Sequence, residues 1–67
     1  MRNRVRALRE DHDLTQQKVA DALGITQRKY SYVETGTQPL TGELLVRLAR
    51  FYGVSTDYIL CLTDEPN

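Results

Sequence analysis

Between Gly24 and Gly36 the chain reads GITQRKYSYVETG, its densest run of side chains able to bond outward: a glutamine, two adjacent cations, a serine and two tyrosines. At 3.6 residues per turn, Tyr30 and Val33 fall on one side of a helix with Glu34 at the flank. Gln27, Arg28, Ser31, Tyr32 and Thr35 cover the other side, and Lys29 lies at the border. The outer set carries hydrogen-bond donors and acceptors, so the chemistry it offers is recognition rather than bond making. No competing catalytic arrangement is visible. His12 and Cys61 stand at opposite ends of the chain, the acids are dispersed, and no nucleophile, base and orienting group fall together. Nothing near Cys61 resembles a metal-ligand cluster, and no cofactor or small-molecule ligand is expected.

A short recognition helix needs neighbours to hold it. The same punctuation recurs four times: an apolar residue, then Ser or Thr, then another apolar residue four positions further on. The cases are Leu14, Thr15, Val19; Ile25, Thr26, Tyr30; Leu40, Thr41, Leu45; and Val54, Ser55, Ile59. Each is an N-cap hydroxyl flanked by a hydrophobic staple. No Glu or Gln follows three residues after any of these caps, so the full capping box is absent. Gly24, Gly36 and Gly53 lie where a left-handed residue would close the preceding helix. Pro39 sits in the connection before the fourth helix, where its missing N–H does no harm. With an opening helix from Arg2, the spacing predicts five helices over about 2–11, 16–23, 27–35, 42–52 and 56–62. No period-2 alternation of useful length appears. The expectation is one all-α domain over 1–67 with a frayed tail at 63–67. Its core-facing stripes are Val5, Leu8 and His12; Val19, Ala20 and Leu23; and Leu44, Leu45, Leu48, Ala49 and Tyr52.

Size and charge set bounds on this reading. At 67 residues a domain buries only roughly 60% of the surface its unfolded chain exposes, so stability is modest. A lone cysteine forms no internal disulfide, which favours a reducing, cytoplasmic setting. The longest apolar stretch, YILCL, is too short to span a bilayer, so neither secretion nor membrane insertion is expected. Nine basic against nine acidic residues give no net charge, but the distribution is uneven. Residues 1–34 carry Arg2, Arg4, Arg6, Arg9, Lys18, Arg28 and Lys29 against Glu10, Asp11, Asp13, Asp21 and Glu34, a balance of +2. Residues 35–67 stand at −2.

Only Gly24, Ile25 and Thr26 join the third helix to the second, so the chain turns sharply there. That is helix-turn-helix geometry, whose second helix can enter a major groove. At this point the sequence resembles the phage repressor and Cro type of helix-turn-helix regulators, from about Val5 to Leu60. The densest part is LTQQKVADALGITQRKYSYVETG, and PLTGELLVRLARFYGVSTDYIL looks like the fourth and fifth helices of such domains.

The resemblance implies a sequence-specific DNA-binding regulator, a repressor above all, with double-stranded DNA as partner. On that reading Gln27 pairs with adenine and Arg28 with guanine, while Ser31 and Tyr32 face base edges. Gln16, Gln17, Lys29, Thr35 and Thr37 meet phosphate, helped at Gln16 by the positive end of the second helix. Arg9 and Glu34 form a partly buried structural ion pair. Arg2, Arg4 and Arg6 divide evenly between a solvated surface and phosphate contact. The segment GTQPLT departs from the family pattern, being uncharged where relatives often carry Lys or Arg, which points to moderate affinity per monomer. A homodimer on a palindromic operator would compensate, with Tyr58, Cys61 and Leu62 as interface candidates. No sensor domain or ligand pocket is expected after the fifth helix. The rival reading, favoured by zero net charge and the uncharged loop, is a protein-interaction module of the same fold, antirepressor or antitoxin-like.

Overall fold

Four hydroxyl residues start four helices. Thr15, Thr26, Thr41 and Ser55 all have extended backbone, and each side-chain oxygen accepts from the N–H three residues on: Lys18 at 3.1 Å, Lys29 at 3.1 Å, Leu44 at 3.3 Å and Tyr58 at 3.1 Å. These bonds satisfy donors that a helix cannot pair within itself. The computed structural model describes residues 2–67; Met1, included in the expected domain, lies outside them. The elements are α1 (Val5–Asp11), α2 (Gln16–Leu23), α3 (Gln27–Thr35), α4 (Gly42–Tyr52) and α5 (Thr56–Ile59). No strand occurs among the described residues.

The middle three helices have the expected bounds, and the outer two are shorter. α1 begins at Val5 rather than Arg2, because Asn3 Oδ1 takes the Val5 N–H at 3.0 Å and the Arg4 N–H donates to Ile59 O at 2.8 Å. α5 ends at Ile59 rather than Leu62. Cys61 turns left-handed at φ 64°, and Leu62 N–H reaches back to Asp57 O at 2.9 Å while Cys61 N–H reaches Tyr58 O at 3.1 Å. That is a Schellman closure without glycine. Asp13, at φ 55°, closes α1 in the same way, with Leu14 N–H on Arg9 O at 3.1 Å. Gly24 makes the turn between α2 and α3 at φ 73°, a conformation that costs a side-chain-bearing residue roughly 1–2 kcal/mol.

The core gathers Val5 and Leu8 of α1, Val19, Ala20 and Leu23 of α2, Tyr30 of α3, Leu48 of α4 and Ile59 of α5. Ala20 is fully buried, and its small side chain suits a residue enclosed in this core beside the turn to α3. Leu45, Ala49 and Tyr52 are half-buried at the margin of the α4 stripe. His12 does not join the core. It stands just past the end of α1, exposed, with its ring 4.9 Å from Tyr52 and its Nδ1 2.8 Å from Leu8 O. Two arginines tie distant parts together. Arg47 of α4 donates to Leu23 O at 2.8 Å, satisfying a carbonyl at the end of α2, and to Glu43 at 2.6 Å. Arg4 donates to the carbonyls of Tyr58 and Thr63, pairs with Asp64 at 3.0 Å and stacks 4.2 Å above the Tyr58 ring. With Ser55 N–H on Pro66 O at 2.7 Å, these bonds hold the 63–67 segment that sequence reasoning leaves frayed.

Candidate nucleic-acid interface

α3 is anchored by two apolar residues and presents a more open polar face on its other side. Tyr30 is 1% exposed and Val33 is 4% exposed, and the staple of Ile25 with Tyr30 fixes the entry into the helix. Gln27, Arg28, Lys29 and Thr35 are exposed, while Ser31 and Tyr32 are half-buried. Arg28 and Tyr32 meet one turn apart: Arg28 Nε donates to Tyr32 Oη at 2.9 Å, and the guanidinium carbon lies 5.6 Å from the ring centre. At the other end of α3, the hydroxyls of Thr35 and Thr37 are 3.0 Å apart, and Thr35 Oγ1 donates to Tyr32 O at 3.3 Å.

Behind this face an ionic junction sets the position of α3. Arg9 Nε donates to Glu34 Oε2 at 2.6 Å, Nη2 to Oε1 at 3.2 Å, and Nη1 to Leu14 O at 3.0 Å. Gln16 Nε2 donates to the same Glu34 carboxylate at 3.3 Å, so α1, α2 and α3 converge on one group. The Glu34 side chain is 3% exposed and that of Arg9 16%. Burial alone would push the Glu34 carboxyl up, but the Arg9 guanidinium, the nearby Tyr30 hydroxyl and the Gln16 amide outweigh it, and the group sits below its ordinary 4.5. Arg9 is raised, chiefly by its bond to Glu34. The Tyr30 and Tyr52 hydroxyls are buried without a hydrogen bond of ordinary geometry, although Tyr30 lies near the carboxylate. Burial, then the Glu34 charge, pushes Tyr52 up to about 12, and burial first, then Glu34, raises Tyr30 as well.

A pH dependence follows with a definite sign. The depressed Glu34 value means that the unfolded chain takes up the proton first, so the stability from this junction is complete above 4.5 and is lost as pH falls through the lower folded value. The raised tyrosines act at the other end: their contribution is complete below 10 and is lost as pH climbs through their folded values. Urea unfolding from pH 7 to pH 3 checks the acid limb. Glu34→Gln is expected to unfold more easily at pH 7 and to show a shallower acid decline than the wild type.

The remaining candidate residues scatter around this frame. Gln16 is turned toward Glu34, which leaves its backbone N–H and that of Gln17, at the first turn of α2, as the groups open to an anion. Gln17 Nε2 itself bonds Asp21 at 2.7 Å. Arg2 and Arg6 line a cleft of about 260 Å³ beside Thr35 and Gly36, at the end of α3. Arg4 is turned away into the tail contacts, a role that no local spacing signals. Of the interface candidates, Leu62 is 73% exposed, whereas Tyr58 and Cys61 are half-buried and Arg4 covers the Tyr58 ring. Among the described residues no three His, Cys, Asp or Glu side chains gather as a metal site, and no helix is long and apolar enough to cross a membrane.

Comparison with known proteins is consistent with this geometry. The family model for helix-turn-helix domains matches residues 5–59. An uncharacterized HTH-type transcriptional regulator of Bacillus subtilis, YobD, is 44% identical over 64 residues, which are 96% of this chain and 57% of that protein. The cryptic phage CTXphi transcriptional repressor RstR of Vibrio cholerae is 40% identical over 52 residues, 78% of this chain and 47% of the repressor. An HTH-type transcriptional regulator of Methanocaldococcus jannaschii is 29% identical over 65 residues, 97% of this chain and 98% of its own. The chain thus spans about half the length of the Bacillus and Vibrio relatives. No solved structure gives a significant match.

Proposed function

The chain belongs to the helix-turn-helix family, and from that premise we propose that it is a sequence-specific DNA-binding transcriptional regulator, acting as a repressor, that reads the major groove with α3. The observation that carries this reading is the division of α3: Tyr30 and Val33 are buried, while Gln27, Arg28 and Lys29 are exposed. At the start of such a helix a glutamine offers one donor and one acceptor to the N7 and N6–H of adenine, and an arginine offers two donors to the O6 and N7 of guanine, with Ser31 and Tyr32 beside them. The free N–H groups of Gln16 and Gln17, with Lys29, Thr35 and Thr37, supply phosphate contacts on either side. The name of the Vibrio phage relative supports the repressor assignment. The activity is occupancy of DNA rather than catalysis, and such a partner implies a cytoplasmic setting.

One recognition helix covers only a few base pairs, so two copies act together on a palindromic operator with half-sites about 34 Å apart. Leu62, with the exposed edges of Tyr58 and Cys61, forms the contact between copies. A sedimentation run on operator-length DNA that finds one copy per duplex would remove the dimer.

Affinity for random duplex DNA, followed against salt, tests the reading. Log affinity falls with log salt by about 0.9 per phosphate contacted. Lys29→Ala is expected to reduce that slope by about 0.9 and to weaken all sequences alike. A slope of zero in the wild type would favour the second reading, a protein-interaction module of the same fold. Zero net charge and the uncharged GTQPLT segment are the observations on its side.

A further inference from the structure

Arg28 and Tyr32 occupy one ridge of α3, four residues apart, and they touch through specific atoms. Arg28 Nε donates to Tyr32 Oη at 2.9 Å. The guanidinium carbon is 5.6 Å from the centre of the Tyr32 ring, within range of attraction to its face. The two partners are not equally free. Tyr32 is half-buried, and its backbone carbonyl accepts from Gln38 N–H at 3.1 Å and from Thr35 Oγ1 at 3.3 Å. Arg28 is exposed and makes no other hydrogen bond or ion pair among the described residues. The half-buried tyrosine ring is the more enclosed partner, and the exposed arginine is the one being held.

The atom engaged decides what remains available. A guanidinium has five N–H donors in a rigid fork. With Nε occupied by Tyr32 Oη, the four donors on Nη1 and Nη2 are left, and they form the end of the fork. Two parallel donors from that end match the O6 and N7 acceptors on the major-groove edge of guanine. We propose that Tyr32 is a positioning residue for Arg28, holding its guanidinium end-on so that α3 selects guanine at one position in each half-site. This rests on α3 reading the major groove. An arginine already held loses less rotational freedom on binding, which is worth about two- to tenfold in affinity.

The test uses the full chain and a duplex selected from a random pool, with and without 7-deazaguanine at the position that Arg28→Ala identifies. That base lacks the N7 acceptor. The quantity read is the ratio of affinities for the two duplexes. Because 7-deazaguanine keeps O6 and loses one of the two acceptors, the wild type should favour guanine by at least about 5-fold, the lower end of the range for a bidentate contact. Tyr32→Phe, which keeps the ring and removes the hydroxyl, should lower the ratio by about two- to tenfold. In an Arg28→Lys background the same Tyr32→Phe change should leave the ratio unaltered, because lysine has no Nε–H to hold. In the protein without DNA, exchange of the Arg28 Nε–H with water should quicken in Tyr32→Phe. A ratio equal to the wild type in Tyr32→Phe, with Arg28→Ala still lowering it, would overturn the positioning role and leave DNA reading intact. Absence of any salt-dependent binding by the wild type would overturn both.

Discussion

Glu34→Ala is expected to lower folding stability by about 3–5 kcal/mol, the cost of leaving one member of a buried ion pair without its partner. Arg9 would keep only Leu14 O as an acceptor, and Gln16 would lose its contact with α3. Domains have roughly 0.05–0.15 kcal/mol of stability per residue, so for a chain of this size the change removes a large fraction of the total. The thermal midpoint should fall by at least about 12 °C, at 4–8 °C per kcal/mol for small domains. Arg9→Ala should act in the same direction. The double variant should be more stable than the sum of the two losses implies, since removing both partners leaves no buried charge. Thermal unfolding of all four proteins gives the cycle, and simple additivity would mean that the two groups do not interact. Much of the value of this junction lies in register: three helices meet at one carboxylate, and the tilt of α3 against α2 follows.

Tyr30→Ala is expected to cost about 3–5 kcal/mol as well, for a different reason. Its ring is the apolar anchor of α3, 1% exposed and packed in the core with Leu48 and Ile59. Tyr30→Phe separates the ring from the hydroxyl. That hydroxyl makes no hydrogen bond of ordinary geometry, although it lies near the Glu34 carboxylate, so its removal should change stability by only about 1 kcal/mol or less. Denaturant unfolding of both variants distinguishes the contributions. A large loss in Tyr30→Phe would mean that the hydroxyl, through the Glu34 carboxylate, holds the helix more than the ring does.

What the sequence made legible has a common character: it is local. Thr15, Thr26, Thr41 and Ser55 announce helix starts because a cap needs only an oxygen and an N–H three residues on. Gly24, Gly36 and Gly53 announce stops because glycine takes positive φ without strain. Asp13 and Cys61 do the same work without a composition signal, which is why the spacing alone carries α5 three residues past its observed end at Ile59. The start of α1 depends on Arg4 N–H meeting Ile59 O, a contact across the whole chain that no periodicity encodes. His12 shares a spacing with Val5 and Leu8 but lies beyond the last turn, where the spacing no longer applies.

The candidate interface divides along the same line. That Tyr30 and Val33 face inward follows from helical spacing. That Arg28 is bonded to Tyr32, that Gln16 turns to Glu34 and that Arg4 leaves the surface for the tail are side-chain choices among several rotamers, settled by neighbours. Arg47, which closes the end of α2, carried no signal beyond being a cation on α4.

Selection of bound sequences from a random DNA pool, with the wild type and Arg28→Ala in parallel, tests the central claim that the outward face of α3 reads base edges. The wild type should select a two-fold symmetric site, and Arg28→Ala the same site with preference lost at one position in each half. Enrichment of no sequence by the wild type, or an unchanged preference in Arg28→Ala, would contradict it.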